Sequence, residues 1–149
     1  MKSVFLRYHG SFFASLIDNS PIPIQIEREF TEDNHLYVIN GNIGAYVTYS
    51  TKRISPWVLT FQPKHVKSIV DQSNRYKHNF LILVCGFETT AVLSMEEIVQ
   101  LLPVNTLVAS SITIKTGHDK KLAVSGTSGA LKGKLSKTRT YSRILEVIS

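Results

Sequence analysis

Disulfide and metal-thiolate chemistry lie outside the reach of this chain. Its 149 residues hold one cysteine, Cys85, with no partner for an internal bridge and no neighbours for a zinc cluster. A lone thiol suits a reducing compartment, so the cytoplasm is expected. Long apolar runs are also missing: nothing approaches the roughly 18–20 residues of a membrane span, and no membrane partner is expected. Met1 to Arg7 carries charge but lacks the roughly 7–15-residue apolar stretch of a secretory signal. Internal repeats, low-complexity tracts and long linkers are absent too. What remains, 43% apolar and 19% charged residues, has the balance of a globular chain. A length of 149 residues suffices for one core, so a single domain over 1–149 is expected.

Acidic residues are scarce in one region only. Up to residue 109 nine Lys/Arg face nine Asp/Glu, whereas from residue 110 onward eight basic residues face Asp119 and Glu146 alone. The whole formal charge of +6 is therefore C-terminal. Such asymmetry points to a polyanionic partner. Lys115, Lys120, Lys121, Lys132, Lys134, Lys137, Arg139 and Arg143 are interleaved with Gly, Ser and Thr. This is how backbone phosphates are met by cations, hydroxyls and amides, and DNA or RNA is the expected partner. A second basic spot, Lys52 and Arg53, precedes Trp57, whose indole could stack on a base. The plainer reading of Trp57 is core filling.

Periodicity gives an α+β domain with a mixed or largely antiparallel sheet of about six to eight strands and two short helices covering one face. Val4, Leu6 and Tyr8 alternate with Phe5, Arg7 and His9, which reads as a strand, with Gly10 interrupting before Phe12 to Ile17. Ile22 to Arg28 has strand period, and Pro23 marks an edge. Asn40-Gly41-Asn42 joins strands 36–39 and 43–49 as a hairpin. Trp57 to Phe61 is a strand, and Pro63 opens a helix to Arg75 with Val66, Ile69 and Val70 as its apolar stripe. Phe80 to Cys85, apolar throughout, reads as a central strand buried on both faces. A strand Thr89 to Leu93 leads into the capping box Ser94-Met95-Glu96-Glu97 and a helix to Leu102. Strands follow at 111–115, 122–125 and within 132–135, and Thr138 to Ile148 fits a helix or a tail equally well.

Catalytic groups are harder to find. Glu27, Glu29, Glu32 and Asp33 are the acids available to a metal-dependent nuclease. No pair among His9, His35, His65, His78 and His118 has metal-ligand spacing, so no metal and no cofactor are expected. Cys85 in an apolar strand reads as packing, not as a nucleophile.

The order strand, strand, helix, strand from Ile43 to Cys85 is similar to the core of the PD-(D/E)xK nucleases. That family holds Mg²⁺ with acids and orients water with a lysine. Here Ala45 to Tyr49 carries no acid, and Ser50 stands two positions before Lys52 where the family has an acid. The resemblance thus implies a degenerate centre. Ser55-Pro56-Trp57 with Thr60-Phe61, then Leu83 to Gly86 and Leu93 to Glu97, resembles a family of small uncharacterised bacterial proteins over residues 43–102. That resemblance implies a bacterial source and no activity. The leading expectation is a non-enzymatic nucleic-acid-binding module. The alternatives are a nuclease of PD-(D/E)xK-like fold, or a protein-interaction subunit of a homodimer or of a defence or mobile-element complex.

Overall fold

Two apolar faces run along one set of strands, and this dictates a layered packing. The computed structural model describes residues 2–29, 35–138 and 141–148. In it, odd-numbered Ile43, Ala45 and Val47 face one side of a strand while Tyr46 faces the other. A strand buried on both faces needs a layer against each.

The described residues form four helices and ten strands. α1 (Lys2–Asn19) leads to β1 (Ile26–Arg28), β2 (Leu36–Ile39), β3 (Ile43–Ser50) and β4 (Trp57–Phe61). α2 (Pro63–Arg75), β5 (His78–Cys85), β6 (Thr89–Ser94) and α3 (Met95–Leu101) follow. β7 (Ser110–Thr116), β8 (Lys121–Gly126), the two-residue β9 (Gly129–Ala130) and β10 (Leu135–Ser136), and α4 (Ser142–Ile148) complete the order. The first sheet runs β1-β2-β3-β5-β6, and the second runs β10-β8-β7-β4 with β9 on β8. Among the described residues only β3 and β5 pair in parallel, from Ile43 opposite His78 to Ser50 opposite Cys85. The fold is α+β with two mostly antiparallel sheets. Among the described residues no helix is long and apolar enough to cross a membrane.

One core lies between the first sheet and α1 with α4, where Phe12, Leu16, Ile82 and Ile144 meet. The other lies between the two sheets and includes α2 and α3, through Trp57, Ile69, Leu83, Ile98 and Ile114. The helices therefore cover both faces of the first sheet, not one.

Several expectations hold in detail. Asn40 and Gly41 take φ of 49° and 76°, the left-handed turn that lets β2 and β3 pair from Ile39 opposite Ile43. Pro63 starts α2, whose Val66 and Ile69 are buried. In the capping box, Glu97 N–H donates to Ser94 Oγ and Ser94 N–H to Glu97 Oε1. β5 is flanked on both sides, with Phe80 to Cys85 buried, although β3 holds the middle of the sheet. β1 is an edge strand, shorter than the alternation of Ile22 to Arg28 implies.

The N-terminal strand is corrected to a helix. Tyr8, Phe12, Phe13 and Leu16 are buried, and their spacings of four (8 to 12, 12 to 16) and three (13 to 16) make one helical face. The alternation over residues 4–9 covers too few positions to separate the two periods. Gly10 is exposed with nothing near its Cβ position, so its helix penalty, roughly 1 kcal/mol, is offset by the burial around it. Ser142–Ile148 is also helical, which decides between helix and tail and brings the helices to four, not two.

Candidate functional site

The carboxyl ends of parallel strands collect loops, because the chain must leave the sheet there and return from the other end. β3 and β5 end side by side, and Gly86 N–H donates to the Ser50 carbonyl at 2.8 Å. Gly86 has φ +57°, and a Cβ there would meet the Lys52 carbonyl at 2.5 Å. Only glycine fits this crossing. The next loop, residues 51–56, is pinned by Trp57 Nε1–H donating to Lys52 O at 2.9 Å and by Lys52 Nζ donating to Pro56 O at 3.0 Å.

That loop joins the second sheet at the same end. Trp57 pairs with Ile114, and Thr116 N–H donates to Ser55 Oγ at 3.1 Å, so β4 begins where β7 finishes. The turn from β7 to β8 carries Lys120, with Gly117 N–H donating to Lys121 O at 3.0 Å. β10 ends there as well, Ser136 lying opposite Lys121. Lys137 then reaches back to Glu88 at 2.6 Å, and Thr89 Oγ1 donates to the Lys137 carbonyl at 2.6 Å. These contacts close a ring, a rim shared by both sheets. It gathers Lys52, Arg53, Lys115, Lys120, Lys121, Lys134 and Lys137.

The cations of this rim are not equivalent. Lys52, Arg53, Lys115, Lys120 and Lys121 are exposed. Lys134 is paired with Asp119 at 2.9 Å, and this contact, with the Lys121 backbone N–H, holds the Asp119 carboxyl below its usual range. Exposed Lys132 sits in the loop before β10. Arg143 is elsewhere: it pairs with Glu97 and donates to the Val92 carbonyl at 3.1 Å, tying α4 to α3 and β6. Arg139 lies outside the described residues. Trp57 has no exposed surface, so it is a core residue and no stacking face. The indole acts on the rim only through its bond to Lys52.

An aromatic face is present nonetheless, from a residue the sequence analysis did not single out. Phe87 stands in the turn between β5 and β6, 76% exposed. Its ring stacks on Tyr8 of α1 at 5.0 Å and 11°, and Tyr8 stacks on Tyr49 of β3 at 4.7 Å and 1°. The available signal was an aromatic in the turn Gly86-Phe87-Glu88, where polar residues are usual. Clefts of about 300 and 310 Å³ open beside this turn. The first is lined by Ser11 and Ser15 of α1, Thr89, Thr90, Lys137, Thr138 and Tyr141, and the second by Thr51 and Arg53, with Phe87 and Glu88 common to both.

Two of the catalytic candidates, Glu27 and Glu29, stand together at β1 near Tyr76, whose hydroxyl pKa is raised by burial and by both carboxylates. Glu29 accepts from Arg75 Nη1 at 2.6 Å and from the Tyr76 hydroxyl, and Glu27 accepts from Gln25 at 2.6 Å. Glu32 and Asp33 lie outside the described residues. Among the described residues no three His, Cys, Asp or Glu stand close enough to share a metal ion. Cys85 is buried, and desolvation pushes its thiol up to about 12, which keeps it protonated and poorly nucleophilic. His9 and His35 approach each other at 6.0 Å between ring centres, as do His35 and His65 at 5.7 Å. Comparison with protein-family models, with curated proteins and with solved structures finds no match.

Proposed function

We propose that this chain is a non-enzymatic nucleic-acid-binding module whose contact surface is the basic rim. One observation carries the reading: five exposed cations from two separate stretches of sequence, Lys52 with Arg53 and Lys115 with Lys120 and Lys121, lie at the end of the molecule where β3 and β5 terminate. Thr51 and Thr138 line the clefts at this end, and hydroxyls complement phosphate oxygens. A reducing cytoplasm suits a protein whose lone thiol is buried.

Anisotropy titration of labelled DNA and RNA against salt tests the proposal. Binding is expected to weaken steeply with salt, because each phosphate neutralised releases counterions. Replacing Lys115, Lys120 and Lys121 together by glutamine is expected to lower the log–log salt slope by about 2–3 and to weaken binding to all sequences alike. Lys64→Gln is the control, since α2 starts beyond Phe61 at the opposite end of β4, and its affinity is expected to be unchanged. Salt-insensitive binding, or equal loss from Lys64→Gln, overturns the rim. A cleaved probe overturns the non-enzymatic reading.

A further inference from the structure

Among the described residues Phe87 is the most exposed large apolar side chain, and its ring is stacked on another. One face of its ring rests on Tyr8, which rests on Tyr49 of the central strand, so the three rings form a column anchored in the core. The turn is fixed by the left-handed Gly86 and by its bond to Ser50. With 76% of its surface exposed, Phe87 contributes little to the core that supports it. A flat ring pre-positioned in this way loses little entropy on meeting a planar ligand.

Cations and hydroxyls flank the column. Arg53 lies in the same cleft as Phe87, and Lys137 lies across the other cleft with Ser11 and Ser15. Glu88, the one acid at the turn, has its charge offset by Lys137. A planar, uncharged ring with an anionic group on the Arg53 side and polar edges toward the hydroxyls of the other cleft fits this arrangement, and that is the chemistry of an unpaired nucleotide. In a duplex the base faces are covered by their neighbours and unavailable.

We infer that Phe87 is a stacking platform for an unpaired base, which makes the rim selective for single-stranded over double-stranded nucleic acid. The inference rests on the binding reading above. The base extends the Phe87–Tyr8–Tyr49 column, and the adjoining phosphate lies toward Arg53. Stacking of one base is worth roughly 1–3 kcal/mol, a factor of about 5 to 150 in affinity.

The test uses the full chain with an oligonucleotide carrying 2-aminopurine, as a single strand and annealed to its complement. With the unaltered protein, tighter binding of the single strand and a change in 2-aminopurine emission on binding are expected. Phe87→Leu is expected to weaken single-strand binding by at least about fivefold, with duplex affinity and the salt slope unchanged, and Phe87→Tyr to restore it. Thermal melting checks that both variants fold. Salt-dependent binding that ignores Phe87→Leu, or equal affinity for strand and duplex, overturns the stacking platform and leaves the basic rim standing. Absence of salt-dependent binding to either form overturns the rim and the platform with it.

Discussion

His9 shows how a single side chain can make stability depend on pH. It is 2% exposed on α1, its Nδ1 hydrogen-bonds the Tyr37 hydroxyl at 2.8 Å, and Arg28 donates to that same hydroxyl at 2.6 Å. Burial lowers its pKa to about 4, helped by the neighbouring His35 and Arg28 charges. Below the ordinary value of 6.5 the unfolded chain takes up a proton that the fold refuses. Stability is therefore lost as pH falls from about 6.5 toward 4, and at pH 5 the loss is about 2 kcal/mol. The melting temperature is expected to drop between pH 7.5 and pH 5, and to drop less in His9→Gln. Equal pH profiles for the two proteins would remove His9 as the cause. None of this was legible in the sequence, where His9 sits in what reads as a strand and lacks a partner. Tyr37 and Arg28 reach it only through the packing of α1 on the first sheet.

Between elements, the C-terminal helix depends on one charged anchor. α4 has seven residues, too few to persist without tertiary support. Ile144 seats it in the core beneath the first sheet, and Arg143 spans α4, α3 and β6 through Glu97 and the Val92 carbonyl. The pair is half-buried, and Glu97 also serves the cap of α3. Arg143→Ala is expected to cost about 1–3 kcal/mol, because it leaves Glu97 with a poorly solvated charge. Urea unfolding followed by circular dichroism measures this, and a change below about 0.5 kcal/mol would contradict the anchoring role. In the sequence Arg143 is one more member of a basic run. Its removal from the binding set is decided by Glu97, 46 residues away.

For the molecule as a whole, the rim joins both sheets, so occupying it should stabilise both. A ligand that binds only the folded state adds about 2.7 kcal/mol at a hundredfold excess over its Kd. For a chain of this length each kcal/mol raises the melting temperature by roughly 2–4 °C. A single-stranded oligonucleotide at low salt is expected to raise it by about 5–10 °C, with the shift collapsing at high salt as counterion release weakens binding. No shift at an excess that saturates anisotropy would mean that the ligand binds folded and unfolded chains alike.

Local chemistry determined the parts that the sequence alone makes plain. The Asn40-Gly41 turn, Pro63 at the start of α2, the Ser94–Glu97 cap and the doubly apolar β5 each depend on residues within a few positions of one another. The α+β class follows from these elements, and so does the excess of positive charge. Tertiary structure decided what needs long-range contacts: α1 as a helix, Trp57 as core, Arg143 as an anchor and Phe87 as an exposed ring on a stacked column. The rim belongs to this second group. It puts Arg53 and Lys121 at one end because β3, β5, β7 and β10 end, and β4 and β8 begin, on the same side of the molecule. Strand register places residues at one end of a sheet whatever their distance in sequence, and register is set only when the two cores close.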